Sequence, residues 1–426
     1  MSKAKDKRYA LRLLKEKRAG TRDRSMESIS SMSGYSVRQL QRMNSELDEE
    51  KDTEEIVKHG NAGRTPVNIA LESEYEYLRI FKEPYPIITI AQFRDFFLED
   101  VINNPSKADD VIRYHLKPRS ESWFRSLFIK EGWRSPKQHR NSKREQRQHL
   151  LRQPSARKGA LVQIDGTPHD WFNDGRMYCL HLAVDDATTE ILSGWFTPHE
   201  CQFGYCMMMK IMFKNHGIPM SLYSDRHTIL CNVKDGSATQ FSQMMAEAGI
   251  EMIYALSPQA KGRVERANET VQLRLPNDII RFRNKGVKLD DYDDLNIWFN
   301  DFYIPYINAK MSFLPLDLND AFTEIEDDFD YSKIFSLKTE RIINNDTFSL
   351  GGWYYSVTEE TGKLLHIRDG VKVDVRIDVF DQTVSIIYHG SRYICRKLQE
   401  RRIRNKALIS DQKDLEKWMK EGKKAY

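Results

Sequence analysis

Three acidic residues stand where the chain could hold metal ions. Asp165 closes the apolar run in LVQIDGTPHDWF, and Asp225 closes a second in SLYSDRHTIL. Glu265 falls in the first turns of the helical segment in SPQAKGRVERANET, with 39 residues between it and Asp225. Carboxylates held at the ends of rigid elements offer hard oxygen ligands for Mg²⁺ or Mn²⁺. Two such ions, about 3.5–4 Å apart, can clamp the attacking and leaving oxygens of an in-line phosphoryl displacement without a covalent protein nucleophile. The chain contains no Ser-His-Asp or tyrosine-based word, which agrees with that chemistry.

Neighbouring residues compete for roles. Asp185 and Asp186 lie in a DDAT corner, where turn chemistry accounts for them, and Asp170 belongs to the following hairpin connection. On the Glu265 helix, Lys261 and Asn268 share its face at spacings of three and four, suited to orienting a phosphate or a metal-bound water. Arg263 and Arg266 point elsewhere, toward DNA backbone or solvent. His227 in YSDRH is open between touching a phosphate and capping a helix. Pro276 is expected to break or kink the helix about three turns beyond Glu265.

The elements that must position these acids follow from pattern. ALVQID, MYCLHLAVD and EILSGWF read as a three-stranded meander. A Met- and aromatic-rich helix over 200–214 comes next, then strand SLYSD, helix ATQFSQMMAEAG, strand IEMIYAL and a helix beginning near Gly262. The expectation is a five-stranded mixed sheet with Asp165 on its central strand and Asp225 at the end of the strand beside it.

Outside this core, 426 residues imply several modules. In SISSMSGYSVRQLQRMNSEL a turn at Gly34 precedes Ser36 as an N-cap, and Val37, Leu40 and Met43 recur at helical spacing. This outlines a helix-turn-helix with Arg38, Gln39 and Arg42 on the open face, where such motifs read base edges. Plain packing in a helical bundle is the alternative. The Gly- and Pro-punctuated stretch 58–68 reads as a linker whose Arg64 suits a minor groove. A second helical module over 69–133 ends in KPRSESWFRSLFIKEGW, with Ser120 or Ser122 as cap, Trp123, Leu127 and Phe128 inward, and Arg119 and Arg125 available to phosphates. Residues 134–158 carry nine Lys or Arg and one Glu, a run that contacts DNA or remains a solvated tether. Residues 316–330 are acidic and suit packing or a protein contact.

Lys plus Arg total 66 against 62 Asp plus Glu, a net +4, so overall charge does not select a nucleic-acid ligand. The five cysteines, Cys179, Cys201, Cys206, Cys231 and Cys395, show neither CxxC spacing nor paired histidines, which argues against a zinc site and a disulfide framework. No apolar run reaches membrane-spanning length, so a soluble cytosolic protein without a membrane partner is expected.

The order of three antiparallel strands followed by alternating helix and strand resembles the ribonuclease-H-like fold of retroviral integrases and DDE transposases. The strings QIDGTPHDWF, AVDDATTEILSG, YSDRH, TQF and SPQAKGRVERANET resemble insertion-sequence transposases of the ISNCY group over most of the chain, most strongly from 160 to 275. The resemblance implies a catalytic, metal-binding triad of Asp165, Asp225 and Glu265 using two Mg²⁺ or Mn²⁺ ions, with His227 at a position characteristic of the group. It also implies double-stranded DNA as partner, both element terminal repeats and target. At least a dimer is expected, acting at the bacterial nucleoid. Short alternating strands over 336–395 resemble the small β-barrel that follows the core in Mu-type transposases.

The expected fold class is multidomain α+β, with N-terminal helix-turn-helix modules, a ribonuclease-H-like mixed α/β catalytic core and a C-terminal small β-barrel. Its divisions are 1–57 and 69–133 for DNA-binding modules, joined by 58–68, then a basic linker at 134–159. The core spans 160–283, a helical and acidic connector 284–335, the barrel 336–395 and a basic tail 396–426. The expected activity is 3′-end cleavage and strand transfer. A non-catalytic DNA-binding regulator and a nonspecific nuclease are the rival readings.

Overall fold

The computed structural model describes residues 2–48, 53–57, 69–136, 153–225, 227–232, 237–254, 262–359 and 361–400. Arg64, Lys261, the linker 58–68, most of the basic run and tail residues 401–426 lie outside the described residues. The chain divides into two compact units, Met1–Tyr77 and Leu78–Tyr426.

The first unit contains α1 (Ser2–Arg18), α2 (Met26–Ser33), α3 (Val37–Asp48) and α4 (Thr53–Val57). Its core gathers Leu11, Leu14, Ile29, Leu40, Met43 and Ile56. Gly34 ends α2 at φ 71, a backbone conformation that glycine adopts without Cβ strain. Two residues on, the Gln39 side-chain oxygen accepts from Ser36 N (3.0 Å) while Ser36 Oγ accepts from Gln39 N (3.4 Å). This reciprocal capping box starts α3. Arg38, Gln39 and Arg42 are exposed on α3 while Leu40 and Met43 are buried.

In the second unit, α5 (Glu72–Lys82), which begins before the division, is followed by α6 (Ile90–Phe97), α7 (Ala108–Arg113) and α8 (Glu121–Lys130). Phe93 is ringed by Phe81, Phe124, Phe128 and Trp133 at centroid distances of 5.5–5.9 Å. Ser120 Oγ accepts from Trp123 N (3.3 Å) and caps α8. Phe124, rather than Trp123, takes the inward position with Leu127 and Phe128.

The meander is β1 (Val162–His169), β2 (Tyr178–Asp185) and β3 (Ile191–Thr197). It is followed by α9 (Gln202–His216), β4 (Ser221–Ser224), α10 (Gln240–Glu247), β5 (Glu251–Tyr254) and α11 (Gly262–Asn284). The sheet order is β3-β2-β1-β4-β5, with β1 central. β1 and β2 pair antiparallel, as do β2 and β3, whereas β4 runs parallel to both β1 and β5. The antiparallel meander, the central β1 and the place of β4 beside it agree with the mixed sheet read from the sequence.

One layer over this sheet is apolar: Val162, Ile164, Ala183 and Leu222 share a cluster with Met208, Met209, Met212 and Phe213 of α9. Apart from Ala183, each such side chain, fully buried, contributes roughly 1.5–3 kcal/mol. On the opposite layer Leu180, Leu182 and Val184 gather with Val264, Val271, Leu275 and Ile279 of α11.

α11 runs through Pro276 without the break that was one of the two outcomes expected there. Proline there withholds one backbone donor. Burial of Leu275, Pro276, Asn277, Asp278 and Ile279 holds the helix in place across the gap. Past Glu265, α11 docks onto the preceding helices through polar pairs, among them Arg274–Asp95 (3.2 Å), Gln92–Asp278 (3.2 Å) and the Arg281–Asp100 ion pair.

After α11 come α12 (Tyr292–Trp298), a π-turn (Phe299–Tyr303) and α13 (Ile304–Met311). Asn296, Asn300 and Asn308 reach the outer edge of β3, each accepting from and donating to one residue's backbone there: Phe196, Gly194 and Ile191 respectively, at 2.6–3.1 Å. Then β6 (Ser336–Ile342), β7 (Thr347–Leu350), β8 (Trp353–Val357), β9 (Lys372–Asp378), β10 (Val384–Tyr388) and β11 (Ser391–Glu400) build a second sheet, in order β6-β9-β10-β11-β8-β7. Where a small barrel is expected, the ladders form an antiparallel sheet, with an isolated Asn344–Thr347 bridge in the turn between β6 and β7. All five cysteines are free thiols, and Cys179, Cys206 and Cys395 are buried.

Candidate active site

Strand β1 alternates its side chains between the two layers. Val162 and Ile164 belong to the α9 cluster, which leaves Gln163, Asp165 and Thr167 on the α11 face. Each of these three makes one hydrogen bond to α11. Val264 N donates to Gln163 Oε1 (3.1 Å), Asn268 Nδ2 to Asp165 Oδ2 (2.7 Å) and Gln272 Nε2 to Thr167 Oγ1 (2.6 Å). Four helical residues rise about 6 Å and two strand residues about 6.6 Å, so this pairing of every fourth helix residue with every second strand residue stays in step.

Asp225 comes to the same sheet edge by register. β1 and β4 pair Val162 with Leu222 and Gln163 with Tyr223, an offset of 60 (222 − 162). Carried forward, that offset sets Asp225 opposite Asp165, one residue past the end of β4. Adjacent strands lie about 4.8 Å apart. Asp225 Oδ1 also accepts from His227 N (3.1 Å), which fixes the turn leaving the strand.

Glu265 is on the first turn of α11, turned about 100° from Val264, and is exposed. Its charge is favourable near the positive end of the helix. The structure therefore brings Asp165, Asp225 and Asn268 to one edge and leaves Glu265 on the helix flank. Among the described residues, no three His, Cys, Asp or Glu gather closely enough to hold a metal ion. The donor chemistry nonetheless suits a hard cation, because all three acids offer carboxylate oxygens and no thiolate. Asn268 is 5% exposed, and its Oδ1 is buried without a hydrogen-bond partner, an orphan that a metal-bound water would satisfy. Closing the triad around an ion requires its three carboxylates to draw closer together.

A fourth carboxylate lies at this edge. A Cβ on Gly166 would meet the Glu200 carboxylate at 2.8 Å, so glycine makes room for Glu200 on the α9 face of β1, opposite to the face that carries Asp165. Glu200 accepts from Tyr205 Oη (2.7 Å) and stands 3.5 Å from His227 Nδ1, an ion pair when the imidazole is protonated. Sequence reasoning passed over Glu200, which sits in an irregular stretch between β3 and α9. Its one signal was proximity to the Met-rich helix.

Other sequence candidates fall elsewhere. Arg263, expected on the DNA-facing side, instead pairs with buried Asp186: its Nε donates to Asp186 O (2.6 Å) and stands 3.2 Å from Asp186 Oδ1. Arg266 bonds back to Gly262 O (2.8 Å) and is exposed. Arg119 is 7% exposed, its guanidinium 4.8 Å from the Trp123 ring, whereas Arg125 is exposed beside Glu121 (3.1 Å). Asp185 does serve its corner, accepting from Thr188 N and Oγ1 (both 2.8 Å), and burial pushes its carboxyl above the usual range. Asp170 accepts from Asp174 N and Gly175 N within the hairpin.

No family model matches the chain. It is 31% identical over 280 residues to y4bF of Sinorhizobium fredii, a protein with a provisional transposase name, covering 59% of this chain and 58% of that one. It is 32% identical over 225 residues to the transposase for insertion sequence IS1202 of Streptococcus pneumoniae, covering 45% and 46%. The chain thus spans about half the length of the curated relatives it matches. Among solved structures it is similar to the HTLV-2 integrase catalytic core domain in complex with magnesium, at 18% identity and TM-score 0.25, over 33% of this chain and 84% of that one. It is also similar to the simian T-cell lymphotropic virus intasome in complex with PP2A regulatory subunit B56 gamma, at 12% identity and TM-score 0.30, over 69% and 95%. Structural likeness of this degree is too low to assign a fold, which rests here on strand order and direction. By sequence, the chain is similar to two transposases over about half of its length.

Proposed function

We propose that this protein is a DNA transposase that binds the terminal repeats of a mobile element and carries out metal-dependent 3′-end cleavage and strand transfer. One observation carries the reading. Asp165 lies within β1 and Asp225 one residue past the end of its parallel neighbour β4, where the Val162–Leu222 register carried forward sets the two opposite each other, and the helix bearing Glu265 is fastened to β1 by three side-chain hydrogen bonds. The identity of about one third to two transposases supports it.

Asp165, Asp225 and Glu265 would hold Mg²⁺ or Mn²⁺, two ions per site. When bound, such ions activate a water or 3′-hydroxyl and stabilise the leaving oxygen. The chain's own residues do the rest. Asn268 orients Asp165, and Asp225 fixes the turn carrying His227. The exposed Arg38, Gln39 and Arg42 of α3 read DNA, and at least two protomers join two ends.

The ungathered triad favours one rival, a transposase-derived DNA-binding regulator without catalysis. Incubating purified protein with labelled DNA bearing the terminal repeat, in Mg²⁺ or EDTA, separates the two. Metal-dependent nicking and joining, lost in Asp225→Asn, is the expected result. Specific binding with no cleavage, unchanged in Asp225→Asn, would replace the transposase with the regulator.

A further inference from the structure

We infer that Asp186 is a positioning residue for Glu265, acting through Gln163 and Arg263; the inference rests on the proposed catalytic role of Glu265. Read as a corner residue, Asp186 makes none of the corner's side-chain hydrogen bonds, which belong to Asp185. Its side chain is completely buried and forms a hub. Oδ1 accepts from Gln163 Nε2 (2.8 Å) and lies 3.2 Å from Arg263 Nε, and Oδ2 accepts from Ser155 N (2.8 Å) and Ser155 Oγ (3.0 Å).

The Gln163 bond has a directional consequence. An amide side chain that donates its NH₂ to Asp186 must present its carbonyl oxygen the other way, and that oxygen accepts from Val264 N. Val264 N is one of the first backbone donors of α11, which have no partner within the helix. Asp186 thus fixes the orientation of Gln163, Gln163 caps the start of α11, and Arg263 ties the same turn to Asp186 a second time. Glu265 is the next residue after Val264. Without the hub, Gln163 is free to flip, the first turn of α11 loses its cap, and the Glu265 carboxylate is no longer held at one height above the Asp165 edge. Groups that orient metal ligands from behind typically govern metal affinity strongly.

The test uses the full-length protein and Mn²⁺ alone as probe, by isothermal titration, together with thermal melting and end cleavage. Gln163→Glu keeps an acceptor for Val264 N but removes the donor to Asp186. Asp186→Asn keeps the shape and removes the ion pair with Arg263. Each single variant is expected to weaken Mn²⁺ binding by about tenfold at temperatures where the fold is intact. The double variant Gln163→Glu with Asp186→Asn restores the Gln163 bond with its donor and acceptor exchanged but not the Arg263 ion pair, and should bind Mn²⁺ more tightly than either single variant while staying below wild type.

A fall in melting temperature with Mn²⁺ affinity unchanged would make Asp186 merely structural and overturn the inference. If Asp186→Asn does not fold, Gln163→Glu decides alone. A wild-type protein that neither binds Mn²⁺ nor cleaves DNA removes the functional reading and this inference with it. Wild-type binding that is lost in Asp225→Asn but untouched in both hub variants removes only the inference.

Discussion

On one face of β1, Val162 and Ile164 join a cluster of methionines and aromatics on α9; on the other, Gln163, Asp165 and Thr167 each hold one named partner on α11. The apolar contacts are non-directional and tolerate small shifts of α9. The polar contacts are directional, and a one-residue slip of α11 would break all three together. The α9 face therefore supplies stability, and the α11 face supplies position, which is what a carboxylate site needs.

The sharpest way to break this contrast is to change charge on the positioning face. Asp165→Asn or Asp225→Asn should lower metal-dependent end cleavage by about a thousandfold or more in a gel assay, with the melting temperature little altered. The apolar face should answer in the opposite manner. Ile164→Ala is expected to cost about 2–5 kcal/mol in denaturant unfolding, while cleavage per folded molecule stays near wild type. If Ile164→Ala instead abolished cleavage without loss of stability, the division of labour between the faces would be wrong.

The α9 layer also buries a histidine. His181 is buried against Gly204; its Nδ1 is 3.1 Å from Trp195 O, and its Nε2 accepts from Cys201 N. Burial lowers its pKa to about 4. The unfolded chain, with His near 6.5, binds the proton more readily, so stability falls as pH drops from about 6.5 to about 4, by up to roughly 3 kcal/mol. Urea midpoints measured across that window should show the decline, and His181→Asn should flatten it. The smallest effect belongs to the far rung of the ladder. Gln272→Ala removes one neutral hydrogen bond to Thr167 and should cost about 0.5–1.5 kcal/mol by the same unfolding assay.

Strand order was legible because alternation, turn residues and the change from period two to helical period are local signals. The two aspartates were legible for a related reason, since each ends an apolar run. Three-dimensional register then aligned them without any further cue in the sequence. Gln163 and Asp186 were not legible in this way. A glutamine inside a strand and an aspartate at a corner have ordinary local explanations, and only the approach of a helix 101 residues away (264 − 163) gives them their partners. Arg263 misled for the same reason, because an arginine on a charged helix reads as solvated until a buried carboxylate is found beside it. Pro276 misled because packing outweighed a local rule. Glu200 read only as the first residue of the expected helix over 200–214 and became visible through the space that Gly166 leaves for it.

Asn296, Asn300 and Asn308 have a consequence for assembly. A side-chain amide offers the same donor and acceptor as a peptide group, so three of them spaced along one helical stretch act as a stand-in for a neighbouring strand. The β3 margin of the sheet is thereby closed to ladder extension by another chain. Only the short β5 margin, Glu251–Tyr254, remains at the other end of the strand order. At the β3 margin, a second chain would meet side chains and helices rather than free backbone.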